Sequence, residues 1–333
     1  MAMMKSLRLH GPGDLRLHEE PVPVPRAGEN LLHITAVGIC GSDLHWFNEA
    51  GIGDARLDKP LVLGHEITAL TDDGKRVAVD PAIPCGMCEY CKRGDPNLCE
   101  NMIFAGHGNQ DGALCEQMIW PGRCLFPLPD QISNTDGVML EPLGIAIHAI
   151  DLAHLKVGMS VGVCGCGPIG LLILQLARLV GADKMLAIDI LPHRLEVARA
   201  LGADETYLVE NSFSEREVAL LDRRRLDVVF EAAGENAAVE MAVAAARSGG
   251  QVILVGIPTD DRISFSASLA RRKGLTIKLV RRMKLTYPRA IRLVESGKVD
   301  VRSLVTHTFS LDQAVEAFAI AARREGLKVI ITP

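Results

Sequence analysis

Aromatic residues are scarce in this chain: phenylalanine, tryptophan and tyrosine together occupy 4% of its 333 positions. A binding site walled by stacked rings is therefore not expected. Long apolar runs are missing as well. The longest, residues 161–174, is interrupted by four glycines and Pro168, and it falls short of the ~18 residues that a membrane span needs. The opening stretch MAMMKSLRLHGPG has no apolar segment of the secretory kind. Positive charge is not in excess either, since the formal net charge is -5. The short basic clusters at 223–225, 271–273 and 281–282 read as solvated surface rather than a nucleic-acid footprint. These absences point to a soluble, cytoplasmic protein with no nucleic-acid or membrane partner. Its thiols would stay reduced, and clustered cysteines in such a compartment hold metal more often than they pair. The length and a hydrophobic content of 48% suffice for two domains, each with its own core.

Four of the nine cysteines fall in one run, CGMCEYCKRGDPNLC, spaced Cys85-x2-Cys88-x2-Cys91-x7-Cys99. Two short C-x2-C steps let successive thiolates converge on one tetrahedral ion, and Gly86 and Gly94 relieve the backbone where it must bend. Four thiolates fill every position of Zn²⁺ and leave no place for water or substrate. A [4Fe–4S] cluster also takes four cysteines, but the ferredoxin run is spaced differently and ends in Cys-Pro. The reading is a closed, structural zinc site. Chemistry must be sought elsewhere.

Upstream lie VGICGSDLH, with Cys40, and LGHE, with His65 and Glu66; downstream, MLEPLGIAIHA carries Glu141. A lone cysteine, a histidine and a carboxylate from separate segments make a three-ligand zinc site with an open fourth position, the catalytic arrangement. One thiolate and one carboxylate already balance the 2+ charge. The other carboxylate would then hydrogen-bond the bound water. Glu66 and Glu141 both remain candidates for the ligand, with a mild preference for Glu66. Asp43 is placed to accept from His65 and fix its tautomer. Cys115, Cys124, Cys164 and Cys166 read as packing residues, and His148 as a residue of a helix after EPLG.

The third feature is SVGVCGCGPIG: a short apolar strand leading into Gly165-x-Gly167-x-x-Gly170, with Pro168 and Ile169 between the last two glycines. A helical pattern follows, ending at Gly181 as a C-cap, and then a second strand ending at Asp189. Strand, glycine turn, helix, strand and terminal acid form the dinucleotide fingerprint, in which glycines admit the pyrophosphate to the helix N-terminus. Asp189 would accept from the ribose hydroxyls of NAD. Against a 2′-phosphate it would repel by about 4 kcal/mol per charge pair at ~4 Å and an effective dielectric near 20. NAD is favoured, although Arg194, five residues on, could offset part of a phosphate's charge. Further strands are expected at 226–234, 250–256 and 275–280, with a helix at 238–250. Ala233 and Gly256 close two of these strands at the carboxyl edge, where ligands of such sheets sit. The fold class is α/β with a parallel sheet covered on both faces.

Taken in order, GICGSDLH, GHE, the four-cysteine lobe, EPL, GCGPIG and the terminal Asp189 resemble the zinc-dependent medium-chain dehydrogenases, and within them the polyol branch of sorbitol, xylitol and idonate dehydrogenases. The resemblance spans essentially the whole chain. It implies a GroES-like β-rich catalytic domain (1–143 and 282–333), a Rossmann domain (144–281) and a cleft between them for catalytic zinc and nicotinamide. It also implies two zinc ions per chain, NAD, a small alcohol or polyol substrate, and a homodimer or homotetramer, with the strand at 276–280 as an exposed edge. By position, Cys40, His65 and Glu66 match the branch's zinc ligands and Glu141 its nearby glutamate. Ser42 matches the proton-relay hydroxyl, His45 the outer relay histidine, Trp46 an aromatic pocket residue and Arg282 an arginine that approaches substrate. The sequence departs from the branch after GHE, where Ala69 replaces a glycine and the hairpin is shortened, and at Leu279 and Met283. The implied activity is hydride transfer from a secondary alcohol to NAD, with threonine at its 3-position or a vicinal diol as competing substrates. A binder that had lost its chemistry is the reading from a different class. It predicts erosion at Cys40, His65 or the carboxylates, all of which are present.

Overall fold

The computed structural model describes residues 2–209 and 215–333. By its contacts the chain divides into two compact units, Met1–Glu141 with Tyr287–Pro333, and Pro142–Thr286. The first unit is built on a seven-stranded sheet. Along it lie Leu125–Pro127, Arg76–Val79, Glu66–Thr71, Glu29–Gly38, Lys328–Thr332 and Val305–Ser310, with Gln117–Pro121 also paired to Glu29–Gly38. All these pairings are antiparallel except that of Val305–Ser310 with Lys328–Thr332. The last strand of the chain thus lies directly beside Glu29–Gly38, which leads into Cys40. Alternation along Glu29–Gly38 sends Leu32, Ile34 and Ala36 into buried positions, as a strand with period two requires. The main core gathers Leu9, Leu32, Val37, Leu63, Trp120 and Phe318.

The shortened hairpin after GHE forms in full. Glu66–Thr71 pairs with Arg76–Val79 in unbroken register from Ile67↔Val79 to Leu70↔Arg76. Gly74 turns the chain at φ +77, and Ala69, in the glycine's place, is buried in the core. Farther on, the Tyr287 hydroxyl donates to the Val79 carbonyl at 2.8 Å, and its ring stacks on Phe126. That contact ties the returning chain to the same sheet.

The second unit holds six parallel strands in the order Glu205–Leu208, Met185–Asp189, Val161–Cys164, Leu226–Glu231, Ala246–Leu254, Thr276–Leu279. This is the strand order of a doubly wound dinucleotide-binding sheet. Val161–Cys164 and Met185–Asp189 are buried at every residue, as a sheet covered on both faces demands. Three details differ from the sequence reading. The strand expected at 226–234 stops at Glu231, and that expected at 250–256 starts at Ala246, directly after the helix Asn236–Ala245. Glu205–Leu208 was not anticipated at all. It is an edge strand, half-buried, and it opens with a glutamate that pairs with Lys184 at 2.7 Å and with Arg224, so it lacks the apolar run that marks its neighbours.

The compact units divide at 141/142 and 286/287, against 143/144 and 281/282 in the sequence reading. The second boundary moves because the segment 282–286 packs on the helix Leu140–Ala153. A Cβ at Gly144 would lie 2.3 Å from Met283 Sδ and 2.7 Å from Thr286 Oγ1. Arg282, expected in the catalytic domain, therefore belongs to the second unit.

Candidate active site and dinucleotide turn

Cys40 ends the turn after Glu29–Gly38 and occupies the N-cap of the helix Gly41–Glu49. That helix brings Ser42, Asp43, His45 and Trp46 within two turns. Asp43 is the hub. Its Oδ2 accepts from the Cys40 N–H at 2.9 Å, and its Oδ1 accepts from the Gly64 N–H at 3.2 Å and lies 3.3 Å from His65 Nδ1. Gly64 has φ +94, a backbone state that a side chain would strain. His65 Nε2 is left toward Ser42 Oγ, 3.3 Å away. Burial would push the His65 imidazole down, but the Asp43 carboxylate and the Cys40 sulfur beside it more than reverse this and hold it well above its ordinary value. Burial alone would push the Asp43 carboxyl up; His65 and the two backbone N–H groups hold it below the usual carboxylate range.

The two glutamates part company here. Both carboxylate oxygens of Glu66 accept from Lys328 Nζ, at 2.7 and 2.6 Å, and both residues are buried. Glu141 is also buried, within electrostatic reach of His65, Glu66 and Lys328, and its carboxyl is pushed up to about 7, chiefly by burial. His45 sits one turn beyond Ser42 on the helix, its Nδ1 3.7 Å from Glu49 Oε1. Trp46, expected as a pocket residue, is 1% exposed and packed in the main core, where it meets His107 edge-on. The ring found against the site is instead Phe104, centred 5.3 Å from the His65 ring. Nothing in the order of residues singled out Phe104 or Lys328. A sulfur, an imidazole and buried carboxylates, with a second carboxylate fixing the imidazole, suit zinc in both donor type and support.

The four-cysteine lobe is a separate construction. Cys85, Cys88, Cys91 and Cys99 bring their sulfurs within 4.8 Å of one another, and among the described residues this is the one such group of three or more ligating side chains. Gly86 and Gly94 take φ +74 and +88, as the bends required. The Cys85 and Cys88 N–H groups donate to the Cys99 and Cys85 sulfurs at 3.3 and 3.4 Å. Backbone N–H groups of Met87 and Cys88 pull the Cys85 thiol down to about 6, whereas burial and then the neighbouring sulfurs push Cys91 up to about 12. Four sulfurs this close cannot all ionise without a cation among them. The donor set fits closed zinc.

In the second unit, Gly165 bends at φ +93, and a Cβ there would lie 2.7 Å from the Ala233 nitrogen. A Cβ on Gly170 would lie 1.9 Å from the Gly165 carbonyl oxygen, so only glycine lets the helix Pro168–Val180 approach its strand. Gly167, the N-cap of that helix, is open: only Arg194 Nη1 would come near a Cβ, at 3.6 Å. Pro168 and Ile169 form the first turn, and Gly181 caps the far end at φ +99. Asp189 ties the turn to its own strand, with Oδ2 accepting from the Cys166 N–H at 2.6 Å and Oδ1 from the Leu191 N–H at 2.9 Å. Ala233 is exposed at the sheet's carboxyl edge. Gly256 packs so closely on Gly234 that a Cβ would meet its nitrogen at 2.2 Å. Glu231, not foreseen, is buried beneath this edge and accepts from the Ala233 and Gly234 N–H groups at 2.7 Å each. Cys115, Cys124, Cys164 and Cys166 are all buried, as packing residues should be, and His148 is buried on the helix Leu140–Ala153.

Comparison with known proteins agrees with both halves. Residues 26–130 match the alcohol dehydrogenase GroES-like domain, and residues 168–296 match the zinc-binding dehydrogenase family. The sorbitol dehydrogenase of Bacillus subtilis is 34% identical over 99% of this chain and 97% of its own. The chain belongs to the zinc-dependent medium-chain dehydrogenases. Among solved structures of similar fold, L-idonate 5-dehydrogenase of Escherichia coli superposes with a TM-score of 0.91 at 26% identity, covering 100% of this chain and 99% of that one. An alcohol dehydrogenase of Escherichia coli complexed with NADH superposes at 0.90 and 27% identity, over the whole of both chains. Medium-chain dehydrogenases of this kind share the GroES-like and Rossmann-like units described above. No helix among the described residues is long and apolar enough to cross a membrane.

Proposed function

We propose that this medium-chain dehydrogenase oxidises a secondary hydroxyl of a polyol, sugar alcohol or sugar acid to a ketone, reducing NAD. The observation that carries this reading is the bonded set Cys40, Asp43, His65 and Ser42 on a GroES-like unit, with two buried glutamates in electrostatic range. Cys40, His65 and one of Glu66 or Glu141 would hold the catalytic zinc; Cys85, Cys88, Cys91 and Cys99 would hold the structural one. When bound, the metal would supply a Lewis acid that makes the hydroxyl acidic near neutrality, and NAD would supply the hydride acceptor.

The chain's own residues do the rest. Asp43 holds the His65 ring in one tautomer through Nδ1. Ser42 Oγ takes the hydroxyl proton, and His45, one helical turn away, passes it outward. Glu141, with its carboxyl near 7, can hold or release a proton at working pH. Buried charge close to the reacting oxygen suits a substrate bearing several hydroxyls better than a short apolar alcohol. On the nucleotide side, Gly165, Gly167, Pro168, Ile169 and Gly170 form the cradle. Asp189 and Arg194 flank it, Asp189 offering its remaining lone pairs to the ribose, and Ala233 and Gly256 line its edge. Arg282 is proposed to approach substrate and Trp46 to back the pocket from within the core. The first unit is read as the catalytic domain and the second as the NAD domain. A cytoplasmic homodimer or homotetramer is the expected form, and the edge strand Thr276–Leu279, with Leu279 67% exposed, supports pairing there.

The test is NADH formation on a panel of polyols, sugar acids, threonine and 2,3-butanediol, with NAD and then NADP, alongside metal analysis. Turnover on polyols with NAD and two zinc per chain is expected. One zinc per chain and no turnover on any alcohol would overturn the reading.

A further inference from the structure

Glu231 ends the strand Leu226–Glu231, which lies beside Val161–Cys164 where the strand order of the parallel sheet reverses. Ligands of such sheets sit in the crevice at that point. The side chain is buried, yet every contact made for it is with backbone. Its Oε1 accepts from the Ala233 and Gly234 N–H groups at 2.7 Å each. Its main-chain carbonyl accepts from the Val255 and Gly256 N–H groups, at 2.8 and 3.1 Å. One residue thus ties the loop after its own strand to the loop after Ala246–Leu254.

The two loops meet backbone on backbone. A Cβ on Gly234 would lie 2.5 Å from the Ile257 carbonyl oxygen, and one on Gly256 would lie 2.8 Å from Glu231 Oε2. The first loop also abuts the glycine turn, since a Cβ on Gly165 would lie 2.9 Å from that of Ala233. Burial pushes the Glu231 carboxyl up, while the N–H groups of Gly234, Ala233, Glu235 and Gly256 favour its charged form. Asp189 stands on the other side of Val161–Cys164, at the end of Met185–Asp189. The acid at the end of the second strand serves the adenosine ribose of a dinucleotide, so the nicotinamide half falls on the side of the Glu231 loops.

We infer that Glu231 is a positioning residue for the nicotinamide half of NAD, holding the loops 232–235 and 255–257 in the arrangement that receives it. This rests on the dinucleotide cradle proposed above. The carboxylate itself lies beneath the loops and acts through their peptide groups.

The test is made on the full chain by binding, with no turnover: NADH is followed by its fluorescence, AMP by calorimetry. AMP carries only the adenosine half. Glu231→Gln replaces one acceptor by an NH2 group that can only donate. The dissociation constant for NADH should rise by about tenfold, as for the loss of a hydrogen bond to a charged group, and that for AMP should keep its parent value. Asp227→Asn is the comparison. Asp227 lies at the opposite end of the same strand, where its Oδ2 accepts from the Ser160 N–H and Oγ at 2.8 and 2.7 Å. That variant should lower the melting temperature and leave both affinities unchanged. Equal weakening of NADH and AMP in Glu231→Gln, or a lower melting temperature with both affinities unchanged, would overturn the inference. Should Glu231→Gln fail to fold, Glu231→Asp, which keeps the charge and loses only reach, is read by the same two ligands. If the parent binds no NADH, the dinucleotide reading itself has failed. If the parent binds it and Glu231→Gln binds both ligands as the parent does, only the role of Glu231 has.

Discussion

The two candidate metal centres share one unit of the molecule and are built in opposite ways. The four-cysteine lobe draws every ligand from residues 85–99, and its cysteines, apart from Cys99, are only partly covered. The Cys40 centre draws on residues 40–66, 141 and 328, and Asp43, His65, Glu66, Glu141 and Lys328 are buried whereas Cys40, Ser42 and His45 are half-buried. In the lobe the sulfurs find one another through two glycine bends. At Cys40 most groups are already bonded to another protein group: the Cys40 backbone to Asp43, Asp43 to His65, Glu66 to Lys328. The lobe thus gathers its four sulfurs within one short, locally bent segment. The Cys40 centre instead holds its side chains through bonds to other protein groups drawn from distant parts of the chain.

This contrast can be broken in four places. The largest effect is expected from Cys40→Ser. Turnover should fall by more than the ~10–100-fold typical of losing a residue that merely supports a metal ligand, with the melting temperature and one zinc per chain retained. Activity assay, calorimetry and metal analysis together check this. Cys88→Ser should do the reverse, costing zinc at the lobe and lowering the melting temperature, while the molecules that remain folded turn over at close to the parent rate. Equal loss of activity and stability in both variants would erase the distinction.

Asp189→Ala should raise the KM for NAD by about 10–100-fold, from losing one hydrogen bond to a charged acceptor at about 1.5–3 kcal/mol, with kcat changed less and both zinc ions in place. Steady-state kinetics with NAD and NADP read it out. The smallest effect belongs to Tyr287→Phe. It leaves the Val79 carbonyl without its donor in a buried place, a cost of about 1–3 kcal/mol, seen as a melting temperature lower by several degrees with zinc content unaltered.

Much of this was legible in the residues. The doubly wound sheet followed from apolar strands alternating with helical patterns, and the helix after the glycine turn ends at Gly181 as its sequence promised. Asp43 behind His65 was also foreseen, and the structure puts its Oδ1 3.3 Å from His65 Nδ1. The depth of Trp46 was not legible for a physical reason. Its place on the helix is readable, but the side it turns to the core depends on what packs there, and that side is closed by the main core. Phe104 could not be found because its approach to His65 runs through the packing of distant segments. The shift of 282–286 to the second unit is a matter of fit against Gly144.

The sequence by itself determined what is local: four sulfurs spaced to converge, glycines where backbone must pass close to backbone, and an acid at the end of the second strand. Only the tertiary structure decided the pairing of Glu66 with Lys328, 262 positions apart. Short-range order is fixed by bond geometry and dihedral preference, which each residue carries with it. A buried ion pair exists only where folding has brought two strands side by side and removed the water between them.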